Sequence, residues 1–137
     1  MTSLPWTLVD EPRSCEKARD EIGSVSLIGV DTEYDSFRYF REKLCLLQVS
    51  THTRVYLFDP LGSGDFSFLG RLFEDPGILK ILHAGDNDMR FLHRDHGFVF
   101  NSIFDTHRAA ALLGGTALSL PGVLKEYLGV EVKKETK

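Results

Sequence analysis

Hydrophobic and polar positions along this chain form short blocks, and each block ends at glycine, proline or a run of small polar residues. Cys15, Ala18 and Ile22 recur at the spacing of one helix face, and Gly23 follows as a stop. Ser26 to Thr32 is apolar on both faces, the pattern of a strand inside a sheet. Leu44 to Ser50 and Arg54 to Phe58 read as two further strands. The short Thr51-His52-Thr53 link makes them an antiparallel hairpin. Asp59-Pro60-Leu61-Gly62 then breaks the sheet. Phe66, Leu69, Leu72 and Phe73 give a helical stripe closed by Asp75-Pro76-Gly77, and Ile78 to Leu82 is a fourth strand. A helix between two strands implies a parallel crossover, so the fourth strand is expected beside the first.

After Gly85 the stretch from Asp86 to Arg94 opens a helix that Gly97 stops. Phe98 to Ile103 is expected as a short fifth strand. Asp105 stands where an N-cap would for a helix over Thr106 to Leu113. Ser119 caps a last helix, Leu120 to Leu128, with Pro121 in its first turn and Gly129 past its end. The tail, Glu131 to Lys137, is charged and expected to fray. The whole pattern is that of an α/β domain.

Composition narrows the picture in three ways. A length of 137 residues fits one domain with a core of its own. A net charge of -4 gives no basic footprint and argues against a protein that coats nucleic acid in bulk. An enzyme that meets phosphates through bound cations stays open, because its own acids add to the negative count. Cys15 and Cys45 form neither a metal spacing nor a disulfide framework, and both lie in apolar patterns that predict buried thiols. The N-terminus lacks the regions of a signal peptide and no apolar run reaches membrane-spanning length, so a cytoplasmic location is expected.

Candidate chemistry begins where Leu27-Ile28-Gly29-Val30 runs into Asp31-Thr32-Glu33. Side chains alternate along a strand, so the acids at i and i+2 project from one side. Two neighbouring carboxylates repel each other, and the arrangement becomes favourable with hard divalent cations between them. The connection from Tyr34 to Lys43 follows directly. It carries four aromatics, Tyr34, Phe37, Tyr39 and Phe40, and three cations, Arg38, Arg41 and Lys43. One reading tucks these rings onto the core. The other makes them a substrate rim, with rings for base stacking and cations for phosphates. Asp86 and Asp88 both fall in the first turn of a helix, where capping is the commonest role of Asp. Asp35 and Asp86 are the main decoys among the acids, and Asp105 reads as a cap.

Three stretches together resemble the DEDD 3'-5' exonucleases, in their ribonuclease D-like branch. Asp31-Thr32-Glu33 is similar to the family's first motif. Leu82-His83-Ala84-Gly85-Asp86-Asn87-Asp88-Met89 is similar to its second, with the family's carboxylate at Asp88. Lys43 to Ser50, Phe58-Asp59-Pro60-Leu61 and Phe104-Asp105-Thr106 support the match. The resemblance implies a ribonuclease H-like fold, with a mixed five-stranded sheet and helices on its faces. It implies two Mg²⁺ or Mn²⁺ ions and removal of nucleotides from a 3' end, with RNA favoured over DNA as the nucleic-acid partner. Asp31 would bridge the metals, Glu33 would bind one, and Asp88 would hold the second. Thr32, Tyr34 and His83 are the expected substrate contacts.

The family's third motif, a Tyr and an Asp on a later helix, has no counterpart up to Lys137, and Tyr127 and Glu126 lie too early to supply it. Residues 1–137 are therefore expected to form a single exonuclease-like domain that stops before the last catalytic helix. Such a chain would be a feeble nuclease, with an apolar strip left open to self-association. The competing expectation is a degenerate nucleic-acid-binding or interaction module that keeps the fold without turnover.

Overall fold

In the computed structural model, which describes residues 3–38 and 40–132, the chain builds one sheet with helices on both sides. The elements run β1 (Trp6–Val9), α1 (Pro12–Ile22), β2 (Leu27–Asp35), β3 (Lys43–Ser50), β4 (Val55–Phe58), α2 (Leu69–Glu74), β5 (Leu79–Leu82), α3 (Asp86–His96), β6 (Ile103–Asp105), α4 (Thr106–Leu112) and α5 (Leu120–Leu128). The sheet is six-stranded in the order β1-β4-β3-β2-β5-β6. β2 lies between an antiparallel neighbour, β3, and a parallel one, β5. The β3–β4 hairpin is antiparallel, as the short link predicts.

Alternation along β2 divides its residues between two faces. Ile28 and Val30 are buried, whereas Asp31 and Glu33 are exposed. Val30 pairs with Val49, Thr32 with Leu47 and Leu47 with Phe58, so these positions share the buried face. That face is closed by α1 through Cys15, Ala18 and Ile22, by α2 through Leu69 and Phe73, and by α3 through Leu92. Buried Lys80 belongs to the same face. It reaches the end of α2, where its ammonium donates to the carbonyls of Asp75 at 2.7 Å and Leu72 at 3.4 Å. Burial pushes the Lys80 ammonium below its usual range.

The opposite face is covered over only part of its area. Gly29 pairs with Ser50, Asp31 with Gln48 and Glu33 with Leu46, which places all six on this side. Trp6 and Leu8, on the edge strand β1, remain largely exposed there. α4 and α5 stand at the far end, beside β6, and Leu120 reaches the cleft that holds Asp31.

Several expectations change. The five-stranded sheet gains a sixth strand, β1, whose pairing to β4 is parallel and distant in sequence. The fifth strand, expected over Phe98 to Ile103, forms only at Ile103–Asp105. Phe98 and Phe100 are apolar because their rings pack on Phe73 at 5.6 and 4.5 Å, not because they lie in a strand. The stripe from Phe66 becomes helical only at Leu69; Phe66 and Phe68 meet Phe58 from the preceding turn. Cys45 is exposed instead of buried, since it falls at the register shift where Glu33 pairs with Leu46 and Tyr34 with Leu44. The helix α5 has the predicted bounds, with the Ser119 hydroxyl accepting from Gly122 N–H and Gly129 in the left-handed region at φ 66°. Most of the charged tail, residues 133–137, lies outside the described residues.

Candidate active site

The acid pair sits within the second half of β2, on the open face. Asp31 forms the centre of a small electrostatic cluster. Burial raises its carboxyl affinity for protons, and the charges of Asp88 and Glu33 raise it further. The Asp88 and Glu33 carboxylates therefore both lie within electrostatic reach of Asp31. Gln48, the cross-strand partner of Asp31, points its amide at the Asp31 carboxylate from 3.4 Å. Among the described residues, no three His, Cys, Asp or Glu side chains stand close enough together to hold a metal ion as they are.

Asp88 reaches the cluster from the other side of β2. It lies in the first turn of α3, a helix packed on the closed face, and its carboxylate accepts a hydrogen bond from the Thr32 hydroxyl. Alternation explains this link, because Thr32 projects opposite to Asp31 and Glu33. Tyr34 points the same way as Thr32. Its ring lies against Phe91 at 4.8 Å, and among the described residues its buried hydroxyl finds no partner. Burial, with the charge of Asp95 behind it, pushes that phenol up to about 12. In this structure the side chains of Thr32 and Tyr34 meet Asp88 and Phe91 of α3. Both act behind the acids, on α3.

The turn that delivers α3 is held by a residue outside the expected set. Asp105, at the end of β6, accepts backbone N–H groups from Ala84 at 3.1 Å, Gly85 at 2.8 Å, His107 at 2.9 Å and Arg108 at 3.2 Å. Burial works against its ionisation, yet these four donors together hold the carboxyl below its usual range. The expected cap of α4 is present, and the same carboxylate also fixes Ala84, which adopts φ 53°, a strained conformation for a residue with a side chain. At Gly85 an added Cβ would sit 2.5 Å from the Leu82 side chain, so glycine is required where α3 begins.

His83 directly follows β5 and lines the cleft beside Asp31. Its Nδ1 lies 2.8 Å from the Thr106 hydroxyl, and that hydroxyl donates to the Leu82 carbonyl at 3.2 Å. With the Thr106 proton spent on Leu82, Nδ1 is the donor and Nε2 carries the lone pair in the neutral ring. The decoys resolve separately. Asp35 caps the next turn through Phe37 and Arg38 N–H, and Asp86 pairs with Arg108 at 2.6 Å on the surface. Gln48, Thr106 and the second role of Asp105 were missed. The signal available was the family resemblance, whose supporting stretches Lys43 to Ser50 and Phe104-Asp105-Thr106 contain Gln48 and Thr106.

Comparison with known proteins supplies the family. The model of the 3'-5' exonucleases matches residues 7–137. The chain belongs to that family. It lies in the DEDD type and near the ribonuclease D-like branch. The exosome complex component 10 homolog of Drosophila melanogaster is 39% identical over 135 residues, covering 98% of this chain and 15% of that protein. The catalytic core of RRP6 from Trypanosoma brucei has a similar structure, with a TM-score of 0.87 at 28% identity over 97% of this chain and 37% of that one. Escherichia coli RNase D, an exoribonuclease involved in structured RNA processing, gives 0.86 at 27% identity over 96% of this chain and 36% of its own. The fold is therefore the ribonuclease H-like one of these exonucleases, and the chain spans less than a quarter of the length of the curated relatives it matches.

Proposed function

We propose that this domain serves divalent-metal-dependent 3'-5' hydrolysis of RNA, with Asp31, Glu33 and Asp88 as its catalytic carboxylates. The observation that carries the reading is the pair Asp31 and Glu33 side by side on the open face of β2, with Asp88 of α3 within electrostatic reach of Asp31, in a chain of the exonuclease family. RNA is favoured because Escherichia coli RNase D, 27% identical, is an exoribonuclease.

The acids suit Mg²⁺ or Mn²⁺ in kind. They offer hard oxygens, and their repulsion is what a cation would relieve. Asp31, flanked by both other charges, would hold such ions together with Glu33 and Asp88. When bound, such ions neutralise charge on the phosphodiester and acidify the attacking water. The remaining work falls to the chain itself. Gln48 steadies the Asp31 carboxylate, and Thr32 fixes Asp88 from behind. Asp105 and Thr106 hold His83 so that Nε2 can accept a hydrogen bond from a substrate hydroxyl. Placing these groups on a strand and a helix start gives the rigidity that in-line displacement needs.

A second reading, binding without turnover, is favoured by the absence of a preformed three-ligand cluster among the described residues. A nearly wholly apolar groove between α4 and α5, about 290 Å³ and lined by Leu113, Leu124 and Tyr127 among others, also supports self-association on that side. The deciding experiment is shortening of 5'-labelled RNA and DNA with and without Mn²⁺. The proposal expects an Mn²⁺-dependent ladder that loses nucleotides from the 3' end, faster on RNA, and none with Asp31→Asn. Internal cuts, or equal shortening by the Asp31→Asn variant, would remove it.

A further inference from the structure

The loop between β2 and β3 has no part in the chemistry above. Phe37 and Phe40 are both fully exposed, so these rings do not tuck onto the core. The loop is nonetheless fixed at both feet. At the first, Asp35 Oδ1 accepts the N–H groups of Phe37 at 2.9 Å and Arg38 at 3.2 Å. At the second, Arg94 of α3 donates to the Glu42 carbonyl at 2.9 Å and to its carboxylate at 3.2 Å. Arg41 and Arg94 both donate to Asp95, at 3.1 and 2.8 Å. Arg94 lies over the Phe91 ring at 4.7 Å, which ties the clamp to Tyr34 and the back of the acid strand. Two apolar rings held in water by a clamped loop are not explained by burial.

Behind Phe40 lies a cleft of about 530 Å³, within the usual range for a bound small molecule or nucleoside. Phe40, Arg41, Leu44, Leu61 and His96 line it. Glu42 and Asp95 line it too, but Arg94 engages both carboxylates. Arg38, next to Phe37 in sequence, pairs with Asp35 at 4.0 Å while its side chain stays 85% exposed.

We propose that Phe37, Phe40 and Arg38 form a stacking subsite for single-stranded nucleic acid, upstream of the 3' end that reaches Asp31. The inference rests on the exonuclease reading and adds to it a grip on the body of the strand. Asp35 is four residues past Asp31 on β2, about 13 Å at roughly 3.3 Å per residue. That distance spans about four stacked nucleotides at roughly 3.4 Å each. Every base has a π-face, so rings serve any sequence, and Arg38 meets a phosphate between stacked bases. The net charge of -4 leaves little general attraction for phosphates, so stacking carries a larger share of the affinity than in a basic protein.

Fluorescence anisotropy with 5'-fluorescein oligo(U) of two, four and eight nucleotides, in EDTA to stop hydrolysis, tests the subsite on the full chain. Leucine keeps apolar bulk without a π-face, so Phe37→Leu and Phe40→Leu are each expected to weaken octamer binding about ten-fold. Phe40→Trp should bind at least as tightly as the wild type, and the loss in the leucine variants should grow from dimer to octamer. Matched melting curves establish that these surface variants fold. Equal octamer affinity in the wild type and both leucine variants, or one fold-loss at every length, overturns the subsite and leaves the exonuclease reading standing. If the wild type fails to bind the octamer yet shortens RNA with Mn²⁺, the subsite alone falls. If it does neither, both fall.

Discussion

The two faces of the sheet differ in what their side chains do. On the closed face Val30, Leu47, Val49, Tyr56 and Phe58 are buried under α1, α2 and α3. On the open face Asp31, Glu33, Trp6 and Leu8 stay exposed, and the charges of Asp88 and Glu33 add to the raised proton affinity of the Asp31 carboxyl. β2 contributes to both, residue by residue. Ile28 and Val30 belong to the core, Asp31 and Glu33 to the proposed site, and Thr32 connects the two through Asp88. The period of two along a strand therefore allows stability and function to be altered separately at adjacent positions.

The sharpest way to break this division is to damage the closed face. Phe58 is fully buried and meets the rings of Phe66 and Phe68 at 6.3 and 6.0 Å. Phe58→Ala should cost about 3–5 kcal/mol of stability in urea unfolding. Where the variant remains folded, its Mn²⁺ affinity should stay within two-fold or so of the wild type. A large loss of metal affinity in that folded variant would show that the faces are not separable.

Asp105→Ala should have an intermediate effect, on the order of 2 kcal/mol, because one carboxylate serves both the α4 cap and the Ala84-Gly85 turn. The pH dependence has a definite sign. The folded carboxyl is depressed, so its contribution is complete above the ordinary Asp value and is lost as pH falls through the lower folded value. Asp105→Asn should flatten the acid limb of a stability–pH curve. An unchanged limb would remove the assigned role.

Thr32→Val should have the smallest effect on stability, at most about 1 kcal/mol, since the side chain is nearly isosteric and one hydrogen bond is lost. Its expected consequence is functional. Freed from Thr32, Asp88 should lose orientation, and Mn²⁺ affinity should drop about 10- to 100-fold, as for other outer-shell partners. Unaltered affinity would place Asp88 outside the metal site.

The parts that were legible in the sequence are those written locally. α5 announces itself with Ser119, Pro121 and Gly129, and the acid pair follows an apolar run on β2. β1 was not legible, because a four-residue edge strand with only Val9 buried gains its meaning from a parallel partner some fifty residues away. Phe98 and Phe100 mimic a strand because apolar character records burial and not the element that achieves it. Within the proposed site, strand alternation put Asp31 and Glu33 on one face, and Asp88 entered only through the resemblance to the family's second motif. The Thr32–Asp88 link and the grip of Asp105 on Ala84 and Gly85 depend on elements brought together only by folding.

The central claim is that Asp31 and Glu33 on the open face and Asp88 reaching them from α3 together form a divalent-cation site. Calorimetric titration of Mn²⁺ into the wild type and Asp31→Asn tests it directly. The account predicts binding by the wild type and a loss of more than about 100-fold in the variant, beyond the range of outer-shell changes, with a melting temperature no lower than that of the wild type. Equal Mn²⁺ affinity in the two proteins, or no heat of binding in the wild type, would contradict it.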